Sequence, residues 1–171
     1  MPSEPSYHFR PLEPADLDLI SGWLAEPHVA QWWGDDPKEE FNAIAAHMDS
    51  ISVEPFIIML DERPIGYLQT YDPHLEDDHP YQDQPTGTLG LDQFIGEPDL
   101  LNAGHGSRLI DEFVSLLFEE GVPRVILDPD PANARAIKAY TKAGFIPFDT
   151  RTSIYGPAMM MARDNPDEMR P

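Results

Sequence analysis

Across 171 residues, 31 Asp and Glu stand against 11 Lys and Arg, a formal charge of −20 that repels nucleic acid and anionic membrane. It attracts a cation, although an acidic excess also serves solubility alone. The absence of cysteine excludes disulfides, thiolate metal sites and a cysteine nucleophile.

The length suits one domain, expected over 1–163 with a flexible tail over 164–171. The first ten residues hold no apolar leader, and no run approaches the roughly 20 apolar residues of a membrane span. A soluble cytoplasmic chain, monomeric or homodimeric, is the expectation.

Residues 7–12 alternate weakly and read as a first strand. Pro14 and Asp16 then open a helix with Leu17, Ile20, Trp23 and Leu24 on one stripe. After Pro27 the segment Val29-Ala30-Gln31-Trp32-Trp33-Gly34 is aromatic and broken by glycine, and a further helix is expected over 37–50. Two apolar runs, 54–60 and 64–71, flank the short polar turn Asp61-Glu62-Arg63 and predict an antiparallel hairpin.

Residues 72–85 break the pattern with proline and five acids. They read as a loop, either a solvated excursion or a wall of a binding site. His74 and His79 in that loop share no helical spacing with one another, so no metal is expected.

A strand over 86–95 precedes the clearest helix, 102–119, with Leu109, Ile110, Phe113, Leu116 and Leu117 spaced for one buried face. Gly121 and Pro123 end it. Strands over 124–128, 145–151 and 157–163 and a helix over 132–142 complete an α+β chain, with helices on both faces of a mixed, mostly antiparallel sheet.

The segment Leu91-Asp92-Gln93-Phe94-Ile95 leads through a loop to Asn102-Ala103-Gly104-His105-Gly106-Ser107 at the helix start. Glycines there admit a ligand close to the backbone, and the first-turn N–H groups with the helix dipole form an anion site suited to a pyrophosphate; a tight turn is the plain alternative. His105 adds a donor or is an exposed filler. Aspartate is depleted from strand interiors, so Asp92 either faces solvent or lines a cleft.

Downstream stand Asp128-Pro129-Asp130-Pro131-Ala132-Asn133 and Ala136, Tyr140, Gly144 and Phe145. With the glycine turn, this Asn-x-x-Ala-x-x-x-Tyr-x-x-x-Gly-Phe pattern resembles the GNAT acetyltransferases over nearly the whole chain. The resemblance implies acetyl-CoA as cofactor. Its pyrophosphate would lie on Asn102, Ala103, Gly104, His105, Gly106 and Ser107, and its pantetheine and thiol along Gln93, Phe94, Ile95, Asn133 and Ala136. Where the family commonly carries Gln or Arg three residues before the first glycine, this chain has Leu101.

Trp32-Trp33-Gly34, Pro64-Ile65-Gly66-Tyr67-Leu68-Gln69, Gly90-Leu91-Asp92-Gln93 and Leu127-Asp128-Pro129 are similar to stretches of the aminoglycoside 6′-N-acetyltransferases that line the drug pocket. This narrower resemblance implies Asp92 as general base or amine-positioning carboxylate, Tyr140 near the thiol, and Trp32, Trp33, Gln69, Tyr71, Asp92 and Asp128 on a cationic acceptor.

Chemistry agrees, because an ammonium must lose a proton before it attacks a thioester and the leaving thiolate must gain one. Backbone N–H groups near Phe94 suit the charge that develops on the thioester oxygen. Tyr140 is otherwise a half-buried tyrosine on an apolar face, the tryptophans core packing, and Asp128 with Asp130 a helix cap. Besides acetylation of an aminoglycoside, two readings stand: acylation of a hydroxylysine- or hydroxyornithine-type siderophore precursor, and a catalytically silent acyl-CoA-binding domain.

Overall fold

A computed structural model describes residues 6–154 and 156–167. Seven strands run as β1 (Tyr7–Pro11), β2 (Val53–Leu60), β3 (Arg63–Tyr71), β4 (Leu89–Ile95), β5 (Arg124–Leu127), β6 (Ile146–Ser153) and β7 (Gly156–Asp164). They form one sheet in the order β1-β2-β3-β4-β5-β7-β6. β4 and β5 pair in parallel, whereas β1 with β2, β5 with β7 and β6 with β7 are antiparallel. The mixed, mostly antiparallel sheet expected from sequence is present.

Among the described residues five α-helices accompany it: α1 (Leu17–Leu24), α2 (Pro27–Trp33), α3 (Pro37–His47), α4 (His105–Glu119) and α5 (Ala134–Lys142). The hairpin between β2 and β3 turns at Asp61, whose φ of 53° is left-handed, a conformation that aspartate tolerates better than most residues. No helix among the described residues is long and apolar enough to cross a membrane.

Two compact units divide the chain, one comprising residues 1–70 with 92–103, the other 71–91 with 104–171. In the first, Ile20, Trp23 and Leu24 of α1 are buried at helical spacing with Val29, Ile44, Ile57, Tyr67 and Phe94. In the second, α4 packs against α5 and buries Leu109, Ile110, Phe113, Val114 and Leu117. Leu116, expected on that face, is 48% exposed, because its position falls at the edge of the apolar stripe while Val114 lies within it.

A second departure concerns residues 27–33, read as an irregular aromatic segment and in fact the helix α2. Pro27 takes the first helical position, where its missing N–H costs nothing, and Gly34 follows the last turn. Of the segment expected as a tail, Asn165 is buried and donates through Nδ2 to the carbonyls of Phe118 and Val122, both at 3.0 Å. Positions 168–171 lie outside the described residues.

The entry to α1 is held by Asp16, whose oxygens accept from Arg10 at 2.7 and 2.8 Å and from the Glu13 N–H at 2.9 Å. The Arg10 hydrogen bonds are the main reason that the Asp16 carboxyl is held below its ordinary range. A depressed folded-state pKa contributes stability that is present above the unfolded value, about 4, and lost as pH falls through the folded one. Asp16→Asn is therefore expected to lower stability at neutral pH by about 1 kcal/mol, solvent at Arg10 screening the pair. Urea titrations should show that difference begin to shrink as pH falls below about 4 and vanish once pH has passed the lower folded-state value.

Candidate active site

In the first unit, Asp92 sits in mid-β4, half-buried, with its Oδ2 accepting from Gln69 Nε2 of β3 at 3.0 Å. Gln69 Oε1 in turn accepts from the Tyr67 hydroxyl at 2.6 Å. Because an ionised carboxylate only accepts, the amide is locked with its NH2 group toward Asp92 and its oxygen toward the Tyr67 hydroxyl. Burial, and then the Asp92 charge, push the Tyr67 pKa far up, so this hydroxyl stays protonated and remains a donor. Gln69 and Asp92 are both singled out in the sequence; Tyr67 is a further functional residue, and its place two positions from Gln69, on the same face of β3, is the signal the sequence offers for it.

Beside this relay, the Trp33 ring meets Phe94 edge-on at 4.9 Å and Tyr67 at 5.8 Å. Trp33 also hydrogen-bonds Glu40, whose carboxyl is raised by burial and by the nearby acids Glu39 and Asp36. Trp32 is 43% exposed. Adjacent helical positions lie about 100° apart, so the two rings meet different surroundings, Trp33 against Phe94 and Tyr67 and Trp32 toward solvent. Trp33→Ala is expected to cost about 2 kcal/mol, less than a fully buried aromatic, and Trp32→Ala less than about 0.5 kcal/mol, measured by thermal denaturation.

Gly66 admits the Phe94 backbone, since a Cβ there would collide with the Phe94 carbonyl oxygen. Farther along β4, the Ile95 carbonyl lies 2.9 Å from Nε2 of His28 on α2, a contact no sequence signal announced. Gln93 is half-buried, and Asn102 adopts φ of 61° before Ala103.

In the second unit, Gly104 is the N-cap of α4 at φ of 82°, with nothing within 4 Å of where a Cβ would stand. No side chain caps this helix start and no acid lies in its first turn. In α3, by contrast, Asp36 caps the start and Glu39 and Glu40 occupy the first turn. An uncapped start with no acid in its first turn suits an anion through the helix dipole.

Gly106 follows His105, whose pKa is lowered by partial burial and then by Arg108. Ser107 turns its hydroxyl back onto the Gly104 carbonyl at 3.3 Å. The donors and the open backbone fit a diphosphate.

Asn133 and Ala136 meet through a cap, the Asn133 oxygen accepting from the Ala136 N–H at 3.2 Å. Tyr140 is buried on α5, its ring 6.5 Å from Phe145. Tyr71 is buried over Gly90, where a Cβ would strike its ring. Asp128 accepts from the hydroxyl of buried Tyr81 at 2.7 Å. Its neighbour Asp130, not Asp128, bonds the Ala132 N–H, at 2.9 Å.

The loop 72–85 is built rather than loose. His74 Nε2 lies 2.9 Å from the Gln84 carbonyl, Gln82 donates to the carbonyls of Pro73 and Glu76, and Gln84 is buried.

The acetyltransferase (GNAT) domain family matches residues 13–152. Aminoglycoside N(6′)-acetyltransferase type 1 of Klebsiella pneumoniae is 33% identical over 171 aligned residues, covering 94% of this chain and 84% of that protein. The lysine N-acyltransferase MbtK of Mycolicibacterium paratuberculosis is 29% identical, covering 82% and 66%. Among solved structures, AAC(6′)-Ib in complex with paromomycin and acetyl-CoA superposes with a TM-score of 0.86 at 32% identity, covering 97% of this chain and 98% of that one.

Proposed function

This chain belongs to the GNAT acetyltransferase family, and we propose that it transfers an acetyl group from acetyl-CoA to a primary amine of a polycationic acceptor, the 6′-amine of an aminoglycoside. The observation that carries this reading is the Tyr67–Gln69–Asp92 relay, a carboxylate fixed in mid-strand by a locked amide.

Acetyl-CoA supplies the activated acetyl thioester. Residues 102–107 would hold its pyrophosphate at the uncapped start of α4, with Gln93, Phe94, Ile95, Asn133 and Ala136 along its arm. Asp92 takes the proton from the acceptor ammonium, directly or through one water, and Gln69 keeps the receiving carboxylate oriented. The backbone N–H near Phe94 serves the carbonyl oxygen as charge gathers there. Tyr140 returns a proton from its hydroxyl to the departing sulfur.

On the acceptor side, Trp32, exposed on α2, offers a ring face to a sugar or an ammonium. Asp128 receives a second ammonium, with Tyr71 and Gln69 as further contacts. The acidic balance of the chain draws the cation in. The reading carries the cytoplasm as compartment and a small cationic molecule as partner.

The lysine acylation named for MbtK supports one other acceptor class, a lysine-type amine. Release of free coenzyme A from acetyl-CoA with kanamycin or tobramycin, against hydroxylysine and no acceptor, decides between them. A product acetylated at the 6′-nitrogen is expected. Turnover with hydroxylysine alone would overturn the aminoglycoside assignment.

A further inference from the structure

Tyr81 is only 2% exposed, yet it lies in an acidic loop whose composition suggests full solvation. What holds it there is a set of contacts on three sides. Its hydroxyl donates to Asp128 Oδ2 at 2.7 Å. Its ring stands 5.1 Å from the His79 imidazole, which is in turn 5.3 Å from the Tyr71 ring. The Arg151 guanidinium lies 5.7 Å from the ring centroid, and Arg151 grips Asp83 of the same loop with two hydrogen bonds of 2.9 and 2.6 Å.

Besides Asp83, charged groups beside this cluster include Glu76, 3.6 Å from His79, and Asp149, 2.8 Å from Arg151. Among the described residues no Lys, Arg or His forms an ion pair with Asp128. Burial raises the Asp128 pKa, and the Tyr81 hydroxyl with the residue's own backbone opposes that rise. A carboxylate taken out of water without an internal cation keeps its charge only with such donors, and its field stays available to a cation from outside.

We propose that Tyr81 is a positioning residue for acceptor recognition: its hydroxyl fixes one oxygen of the Asp128 carboxylate so that the group can receive an ammonium of the polycationic acceptor. Arg151, through Asp83, staples the loop that carries Tyr81. The inference rests on the acceptor assignment above and adds a residue that acts through Asp128 without touching substrate.

Tyr81→Phe tests it, because phenylalanine keeps the ring against His79 and Arg151 and removes only the donor. At neutral pH the KM for kanamycin should rise roughly tenfold, the effect of losing a hydrogen bond to a charged group. The turnover number and the KM for acetyl-CoA should stay near wild type. The acid limb of kcat/KM for kanamycin should move to higher pH, since burial of Asp128 is then less opposed. An unchanged kanamycin KM with an unmoved acid limb overturns the proposal.

If the variant does not fold, the wild-type protein still decides. The carboxyl 13C resonance of Asp128, identified by its loss in Asp128→Asn, should titrate at lower pH with kanamycin bound than without; an unaltered titration overturns the proposal. A wild type that acetylates neither kanamycin nor tobramycin removes the acceptor assignment and this inference together. An active wild type with an indifferent Tyr81→Phe removes this inference alone.

Discussion

Asp92→Asn is expected to lower kcat/KM for the acceptor by about 10²- to 10⁴-fold, the range a positioned general base supplies, while coenzyme A binding is retained. Asparagine is the informative replacement. Its side-chain oxygen can still accept from Gln69 Nε2, so the relay that begins at Tyr67 keeps its geometry and only the proton acceptor is lost.

Calorimetry with coenzyme A and steady-state kinetics with kanamycin separate the two effects. The loss should fall on turnover more than on the acceptor KM, because the bound ammonium must give up its proton before its nitrogen can attack the thioester. Near-wild-type turnover would remove Asp92 as the base and return it to the role of an amine-positioning carboxylate. Gln69→Ala should show a smaller loss, since it frees the carboxylate to rotate without removing it.

Gly66→Ala should cost about 3 kcal/mol of folding stability, measured by urea denaturation, at the upper end of what overpacking usually costs. The atom in the way is the Phe94 carbonyl oxygen, part of the backbone and unable to rotate aside as a flexible side chain would. Relief requires local displacement of β3 from the Phe94 backbone. Because Phe94 is two residues from Asp92 on β4 and Gly66 is three from Gln69 on β3, the same shift should loosen the 3.0 Å hydrogen bond between Gln69 and Asp92. Folded Gly66→Ala protein is therefore also expected to turn over more slowly. Wild-type stability in this variant would show that the strands accommodate a methyl there.

Much of the fold is legible along the chain because periodicity is local. The β2–β3 hairpin, the burial stripe of α4 and the glycine-opened helix start all depend on neighbours within a few positions, and they appear at nearly the expected boundaries. Where a local signal was misleading, another local one outweighed it. The aromatic run after Pro27 looked irregular, but Pro27 starts a helix and Gly34 ends it.

The site separates the two kinds of information more sharply. A glycine turn before a long amphipathic helix and a carboxylate in mid-strand are properties of the chain order itself and single out residues 102–107 and Asp92, whereas Gln69, Asp128 and Tyr140 are implied only by the resemblance to the acetyltransferases. Whether Asp92 faced solvent, which tryptophan packed inward, and what lay beneath the acidic loop depended on partners far away in sequence: Gln69 is 23 positions from Asp92, and Tyr81 is 47 from Asp128. Strand register and loop packing bring such pairs together, and neither is written in the periodicity of either segment. The sequence by itself therefore determined the elements and the chemistry on offer, and only the tertiary structure decided which carboxylate met which donor, because the hydrogen bonds of 3.0 and 2.7 Å to Asp92 and Asp128 form between groups that chain distance does not relate.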